Sequence, residues 1–266
     1  MAKAHYLGIS GVAQKGKQPH VGVDGVSRKC KSGYIGVDGV ARQFLSNNFS
    51  DNTWEQIIAA CQTNTVPDSW KVADQKPMLI NGTEYLIDII GKNHDIYSDG
   101  SGTAPLTFQM HDCYGTSYSM NVNDADYGTV DTNRGGWTSC SMRNRYIPSI
   151  LALMPSEVQA GIKEVNKLTS AGSMSDTINT TADTLFLLSE IEIFGSVTCS
   201  KIGEGSQYEY YSTGNSKVKK KNGSIIGWRE RSPYGESSQR FCNVDEYGKS
   251  VMDSGGRWPV SLGFCF

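Results

Sequence analysis

His111-Asp112-Cys113 places an imidazole, a carboxylate and a thiol at three consecutive positions. On an extended strand His111 and Cys113 share one face and Asp112 points to the other. A thiolate nucleophile needs its base within hydrogen-bond reach, and spacing alone supplies no such geometry. The triplet is therefore read as structural. The chain has seven cysteines, an odd number, with no CxxC pair. Zinc ligation of the usual spacing is not expected, and the thiols are expected to be reduced and mostly buried. "NVNDADYG" (Asn121 to Gly128) is acidic and carries a glycine, but lacks EF-hand spacing and reads as an Asx-rich turn. There is no phosphate loop and no GxGxxG, and "KVKKKNG" reads as a solvated hairpin tip. The expectation is no enzyme activity, no cofactor, no metal and no nucleic-acid contact.

Recognition is the chemistry that remains. From Trp228 to Phe266 few apolar residues (Phe241, Cys242, Val244, Val251, Met252) are spaced like anchors beneath polar side chains. Tyr234, Tyr247 and Trp258 are expected to face solvent. Tyrosine, serine, glycine and asparagine mixed with charge make an adaptable binding surface, because tyrosine offers large contact area at low entropic cost.

Several elements must carry that surface. In "VSLGFCF", Val260, Leu262, Phe264 and Phe266 alternate with Ser261, Gly263 and Cys265, which predicts a half-buried strand. Trp54, Ile57, Ile58 and Cys61 follow Ser50-Asp51-Asn52 with helical spacing, so a capped amphipathic helix marks a boundary near residue 50. Glu84 to Gly91 and Pro105 to Asp112 read as strands. Ser141 to Leu153 reads as a helix interrupted by Pro148. A further helix starts near Pro155, with Val158, Ile162, Val165 and Leu168 on its apolar face. "TADTLFLLSEIEIFG" reads as a buried strand or a strand-to-helix element, and Lys221-Asn222-Gly223 as a hairpin turn.

The N-terminal segment is a repeat. "YLGISGVAQKGKQP", "HVGVDGVSRKCKSG" and "YIGVDGVARQFLSN" align Gly8 with Gly22 and Gly36, and Gly11 with Gly25 and Gly39. Asp24-Gly25 and Asp38-Gly39 between apolar runs signal two-residue hairpin turns. Isolated hairpins are marginal in water, so these are expected to gain order from an oligomer or a larger assembly; the alternative is a flexible basic tail. Residues 1–50 carry seven basic and two acidic side chains, a net +5, while the whole chain carries −2 and the remainder therefore −7. That asymmetry points to docking on an acidic surface.

With 266 residues, 38% of them hydrophobic, and 29 glycines, the chain suits a loop-rich domain plus a short appendage. No apolar run approaches the length of a membrane span. No basic-then-apolar leader is visible, so synthesis in the cytoplasm is expected.

"GGWTSCSMRNRYIPSILALMPSEVQAGIKEV", "LFLLSEIEIFG", "WRERSP", "FCNV" and "GFCF", in that order, resemble an uncharacterised domain family of Firmicute and phage proteins. That family is similar to the C-type-lectin-like fold of formylglycine-generating enzymes and of the variable proteins of diversity-generating retroelements. The hairpin phrases resemble repeats at the N-termini of phage structural proteins. The resemblance implies an α+β protein: a C-type-lectin-like domain over 51–266, preceded by a β-hairpin anchor over 1–50 that uses Gly22, Asp24, Gly25, Gly36, Asp38 and Gly39. It implies a fixed scaffold of Trp228, Arg231, Ser232, Pro233, Phe241, Cys242, Val244, Gly248, Gly263, Phe264 and Cys265. Ligand-facing positions would be Tyr234, Glu236, Ser238, Gln239, Arg240, Asn243, Asp245, Tyr247, Asp253, Arg257 and Trp258. The expected protein is a virion-associated receptor-binding protein, made in the bacterial cytoplasm and exposed on the particle. It would contact other virion proteins through residues 1–50 and a host cell-surface protein or glycan through its C-terminal surface, as a homo-oligomer, with a trimer expected. The alternatives are a decoration protein of capsid or tail without a receptor, and a formylglycine-type oxidase with copper on Cys242 and Cys265. The Glu-Pro-Asn, Gln-Pro-Asp and Trp-Asn-Asp motifs of calcium-dependent sugar lectins are absent.

Overall fold

Each repeat folds its two short runs against one another. β1 (Tyr6–Ile9) pairs antiparallel with β2 (Val12–Lys15), β3 (His20–Val23) with β4 (Val26–Lys29), and β5 (Gly33–Val37) with β6 (Val40–Phe44). The innermost pairs are Ile9 with Val12, Val23 with Val26 and Val37 with Val40. The repeat in sequence is thus a repeat of hairpin register. The computed structural model describes residues 6–9, 12–15, 20–23, 26–29, 33–37, 40–122, 132–252 and 256–266, with side chains from residue 45 onward. Of the anchor positions, Gly22 lies on β3 and Gly36 on β5, whereas Asp24, Gly25, Asp38 and Gly39 lie outside the described residues.

The chain divides into two compact units, Met1–Lys71 and Val72–Phe266, later than the break expected near residue 50. The reason is an aromatic knot. Phe49 meets Trp54 and Trp70 edge-on, with ring centroids 6.4 and 5.4 Å away. The Trp70 indole donates to the Ser46 carbonyl at 3.0 Å. Helix α1 (Trp54–Gln62), which the sequence placed at the start of the body, therefore belongs to the first unit. Thr53 and Gln56 cap it reciprocally.

The second unit runs β7 (Gln75–Ile80), β8 (Thr83–Gly91), β9 (Thr107–Met110), β10 (Ser117–Tyr118), α2 (Gly136–Ser139), α3 (Ile147–Leu151), α4 (Ser156–Gly161), β11 (Val165–Ser170), β12 (Ile178–Asp183) and β13 (Leu185–Phe186). It continues with α5 (Glu190–Phe194), α6 (Glu209–Ser212), β14 (Lys219–Lys221), β15 (Ser224–Ile226), β16 (Trp228–Pro233), β17 (Phe241–Val244), β18 (Ser250–Met252), β19 (Trp258–Pro259) and β20 (Gly263–Cys265). A five-stranded sheet has the order β13-β20-β9-β8-β7, and a three-stranded sheet the order β16-β17-β18. The fold class is α+β, as expected. No helix among the described residues is long and apolar enough to cross a membrane.

Two expectations change. Val165 and Leu168 do not extend a helix from Pro155: α4 ends at Gly161, and Val165–Ser170 is β11, paired with β12. The alternating burial of Val165, Lys167 and Thr169 governs this segment, and it turns Leu168 outward and Lys167 inward, against the apolar spacing. The C-terminal strand is not half-buried. β20 is an inner strand between β13 and β9, and Ser261, Gly263 and Cys265 are buried together with Leu262, Phe264 and Phe266. Phe108 stacks on Phe264 at 5.2 Å and packs against Phe266 at the same distance. The Tyr97 hydroxyl donates to the Phe266 carbonyl at 2.8 Å.

Phe108 lies at the centre of this cluster with no exposed surface. Phe108→Ala is expected to cost about 3–5 kcal/mol in urea unfolding followed by tryptophan fluorescence. A loss below about 1 kcal/mol would mean that the sheet does not depend on this stack.

Candidate functional site

The three motifs that define the body meet one another. In the first, Gly135 and Gly136 have φ of +79° and +53°, and a Cβ on Gly136 would stand 2.1 Å from the Ser170 carbonyl oxygen. Only glycine fits there. The turn delivers Trp137, whose indole donates to Asp183 Oδ2 at 3.0 Å, while Arg143 Nε donates to Asp183 Oδ1 at 2.5 Å. In the second motif, the Ser189 hydroxyl and the Glu192 carboxylate form a capping box on α5. In the third, Arg231 and Ser232 on β16 reach the second: Arg231 grips Glu192 through both terminal nitrogens at 2.5 and 2.9 Å, and the Ser232 hydroxyl accepts from the Glu190 N–H at 2.9 Å.

A bulge makes this possible. On β16, Trp228 and Arg229 pair with Val244 and Asn243, but the next pairing is Pro233 with Phe241, so Glu230, Arg231 and Ser232 stand opposite Cys242 alone. The Arg231 N–H is released to the Leu188 carbonyl at 2.9 Å. Its guanidinium also donates to Thr169 Oγ1 and to the carbonyls of Leu187, Leu168 and Glu204.

Beside it, the Lys167 ammonium donates to Asp95 Oδ1 at 2.5 Å, Glu192 Oε1 at 3.2 Å and the Tyr208 hydroxyl at 2.6 Å, and lies 3.8 Å from the Phe186 ring centroid. Tyr208 passes its proton side on to Asp95, which also accepts from Thr107 Oγ1 at 2.5 Å. Two cations and two carboxylates balance in a region closed to water. Burial raises the Asp95 and Glu192 carboxyls, but the facing cations more than offset it, and both end below their ordinary values. Burial lowers Lys167, and its two carboxylate partners more than restore it.

Two further carboxyls lack a cation. Glu204 is raised by burial to about 7, although Ser232 and the Ser170 N–H bond to it. Glu230 is raised well above the ordinary range by burial, then by Glu190, and neither of its oxygens has a hydrogen-bond partner.

The loop from Tyr234 to Arg240 stands on this base. Buried Asn133 holds it: its amide nitrogen donates to the carbonyls of Tyr234, Ser237 and Arg240 at 3.3, 2.7 and 2.7 Å, and its N–H to Ser238 at 2.8 Å. Glu236, Ser238 and Gln239 are exposed, Tyr234 and Arg240 half-buried, and the Tyr234 hydroxyl donates to Glu236 at 3.0 Å.

The remaining candidate positions lie elsewhere. Asp245 and Tyr247 occupy the turn at the opposite end of β17, a strand about 13 Å long. Asp245 is half-buried and accepts from the N–H groups of Tyr247 and Lys249, so it builds the turn, and Tyr247 is 75% exposed. Half-buried Trp258 packs at this same end, where a Cβ on Gly227 would stand 2.7 Å from its ring, beside Asp245. Arg257 is exposed, and Asp253 lies outside the described residues. Asn243 is not ligand-facing. It is fully buried with both amide atoms unpartnered, and all four residues of β17 are buried, so both faces of the strand are covered. The expected surface is thus two patches at opposite ends of one small sheet. The scaffold positions Trp228, Arg231, Ser232, Pro233, Phe241, Cys242, Val244, Gly263, Phe264 and Cys265 are all buried, and Gly248, at φ +78°, is half-buried.

The other candidates resolve simply. Cys265 lies against Asp95 and Thr107, and Cys242 is buried on β17 in a different sheet from Cys265. His111 Nδ1 bonds Asp88 at 2.8 Å, while burial pushes the Cys113 thiol up to about 12. The hairpin at Asn222-Gly223 forms, both residues having positive φ. Of "NVNDADYG" only Asn121 and Val122 lie among the described residues, and no group of three or more metal-binding side chains occurs among them.

Lys167→Met strands Asp95 and Glu192 in the interior, and is expected to cost about 3–5 kcal/mol in urea unfolding. A neutral result would contradict the pairing. Glu204 predicts a pH dependence. Its folded carboxyl ionises near 7 and its unfolded one near 4.5. Stability from this group is complete below about 4.5, falls as pH rises, and is gone above about 7, a difference on the order of 3 kcal/mol. Glu204→Gln is expected to remove that slope, and a variant with the wild-type slope would refute it.

The family model described as "Domain of unknown function (DUF6273)" matches residues 116–256, more than half of the chain. No curated protein and no solved structure matches it. The matched segment holds Asn133, the Gly135-Gly136-Trp137 turn, Lys167, Glu192, Arg231, the Tyr234 to Arg240 loop and the Asp245 to Tyr247 turn, while Arg257 and Trp258 lie just beyond it. By that match, the chain belongs to the DUF6273 family.

Proposed function

We propose that this chain is a virion-associated ligand-binding protein, with recognition carried by the loop from Tyr234 to Arg240. One observation carries the reading: buried Asn133 fixes the loop through its backbone, while Glu236, Ser238 and Gln239 point their side chains at solvent. Backbone-held loops bind well because little ordering remains to be done on association. They also tolerate changes of side chain, since the loop's shape does not depend on which residues it displays. The polar and aromatic composition suits a protein or glycan on a host cell. In this reading residues 1–50 fasten the chain to other virion proteins or to sister copies, and the assembly is a trimer. The C-type-lectin-like resemblance and the phage-type repeats support the reading from the sequence.

Binding of the purified chain to whole cells of candidate host bacteria tests it. The triple variant Glu236→Ala, Gln239→Ala, Arg240→Ala is expected to bind about tenfold weaker or worse, with an unchanged urea midpoint. Tyr247→Ala, at the opposite end of the sheet, is expected to bind like the wild type. The reverse result would move recognition to the Tyr247 and Trp258 patch. Binding to no host cell would favour a decoration protein.

A further inference from the structure

The loop after β8 runs back along β11. Tyr97 bridges Val165 in antiparallel register, and the Asn166 N–H donates to the Ile96 carbonyl at 2.8 Å. Two residues on, the same register sets Asp95 opposite Lys167, with both side chains on one face. Both are buried, and Lys167 Nζ lies 2.5 Å from Asp95 Oδ1. A primary amine thus stands against a carboxyl 72 residues earlier in the chain.

The neighbours are those that an amide-forming step needs. Glu192 Oε1 reaches the same Nζ at 3.2 Å and can accept its proton. The Glu192 side chain is itself fixed, by both terminal nitrogens of Arg231 and by the Ser189 N–H. The Tyr208 hydroxyl contacts Nζ at 2.6 Å and both Asp95 oxygens at 3.0 Å, so it holds amine and carboxyl together. Asp95 Oδ2 faces three donors: Thr107 Oγ1 at 2.5 Å, the Tyr208 hydroxyl at 3.0 Å and Cys265 Sγ at 3.6 Å. Donors in these places stabilise the negative charge that gathers on Oδ2 when Cγ is attacked.

We propose that Lys167 and Asp95 join through an intramolecular isopeptide bond, with Glu192 moving the proton. The ion pair is the starting state. Passing one proton from Nζ to Oδ1 gives an amine and a carboxylic acid, a change that burial favours because it removes two charges from the interior. The Nζ lone pair attacks Cγ, and the Nζ–Cγ bond forms. Glu192 takes a proton from Nζ and returns it to the Oδ1 hydroxyl. The Cγ–Oδ1 bond breaks, and one water leaves. Ammonium plus carboxylate become a secondary amide plus water, with nothing oxidised or reduced and no co-reactant consumed. Held contact replaces chemical activation of the acid, since well-oriented groups react at very high effective molarity. Burial keeps water from reversing the step. One cation and one anion disappear together, so the Arg231–Glu192 pair stays balanced.

The test is the mass of the purified full chain unfolded in acid, followed by peptide mapping. The expected mass is that of the sequence less one water. The expected map holds a branched peptide that joins Asp95 to Lys167. Mapping separates this product from ring closure at Asp99-Gly100 or another Asp-Gly pair, which also loses water but within one peptide. Lys167→Arg keeps the charge and is expected to carry its full mass. Followed from synthesis, Glu192→Gln is expected to form the link at least about tenfold more slowly than the wild type. The proposal is overturned if the wild type carries its full mass with Lys167 open to trypsin, if the lost water maps to a single peptide, or if Lys167→Arg still loses it. Closure of Glu192→Gln at wild-type speed overturns the part given to Glu192. The wild-type map needs no variant to fold.

Discussion

The body depends on one buried balance of charge. Lys167 and Arg231 face Asp95 and Glu192, and all four side chains are buried. Moving four charges out of water is costly, and attraction offsets that only when geometry is good and the remaining hydrogen-bonding capacity is filled. Here it is filled by Tyr208, Thr107, Thr169, Ser189 and a set of backbone carbonyls. These groups come from strands, helices and loops far apart in sequence. The cluster therefore specifies which elements meet, since a slipped β16 or β11 would bury an unpaired ion.

The surface inherits its order from that balance. Arg231 occupies the bulge of β16, and the loop to β17 begins beyond Pro233. Asn133 precedes the glycine turn that seats Trp137, so the residue holding the loop is itself placed by the packing of the body. Glu204 and Glu230 are the cost of the arrangement, two carboxyls buried without a cation of their own.

Much of this was legible in the sequence. The repeated glycine phrases marked three hairpins, the spacing of Trp54, Ile57, Ile58 and Cys61 marked α1, and the ordered motifs marked the scaffold. What stayed hidden had physical causes. Arg231 and Ser232 entered the scaffold by resemblance alone, because alternation cannot register a bulge in which arginine and glutamate turn inward. Asn243 was placed on the ligand-facing surface by resemblance alone, yet all four residues of its strand are buried. Asn133 is an ordinary loop asparagine in sequence; only its reach to carbonyls about a hundred residues on reveals its task.

Native-state hydrogen exchange on the wild type and on Asn133→Ala tests most directly whether the core holds the loop. If it does, the Tyr234 and Gly235 amides, bonded to Arg240 and Cys199, exchange slowly in the wild type. The variant then accelerates residues 234–240 while β16 and β17 stay protected. Free exchange of those two amides in the wild type, or no change in the variant, would contradict the account.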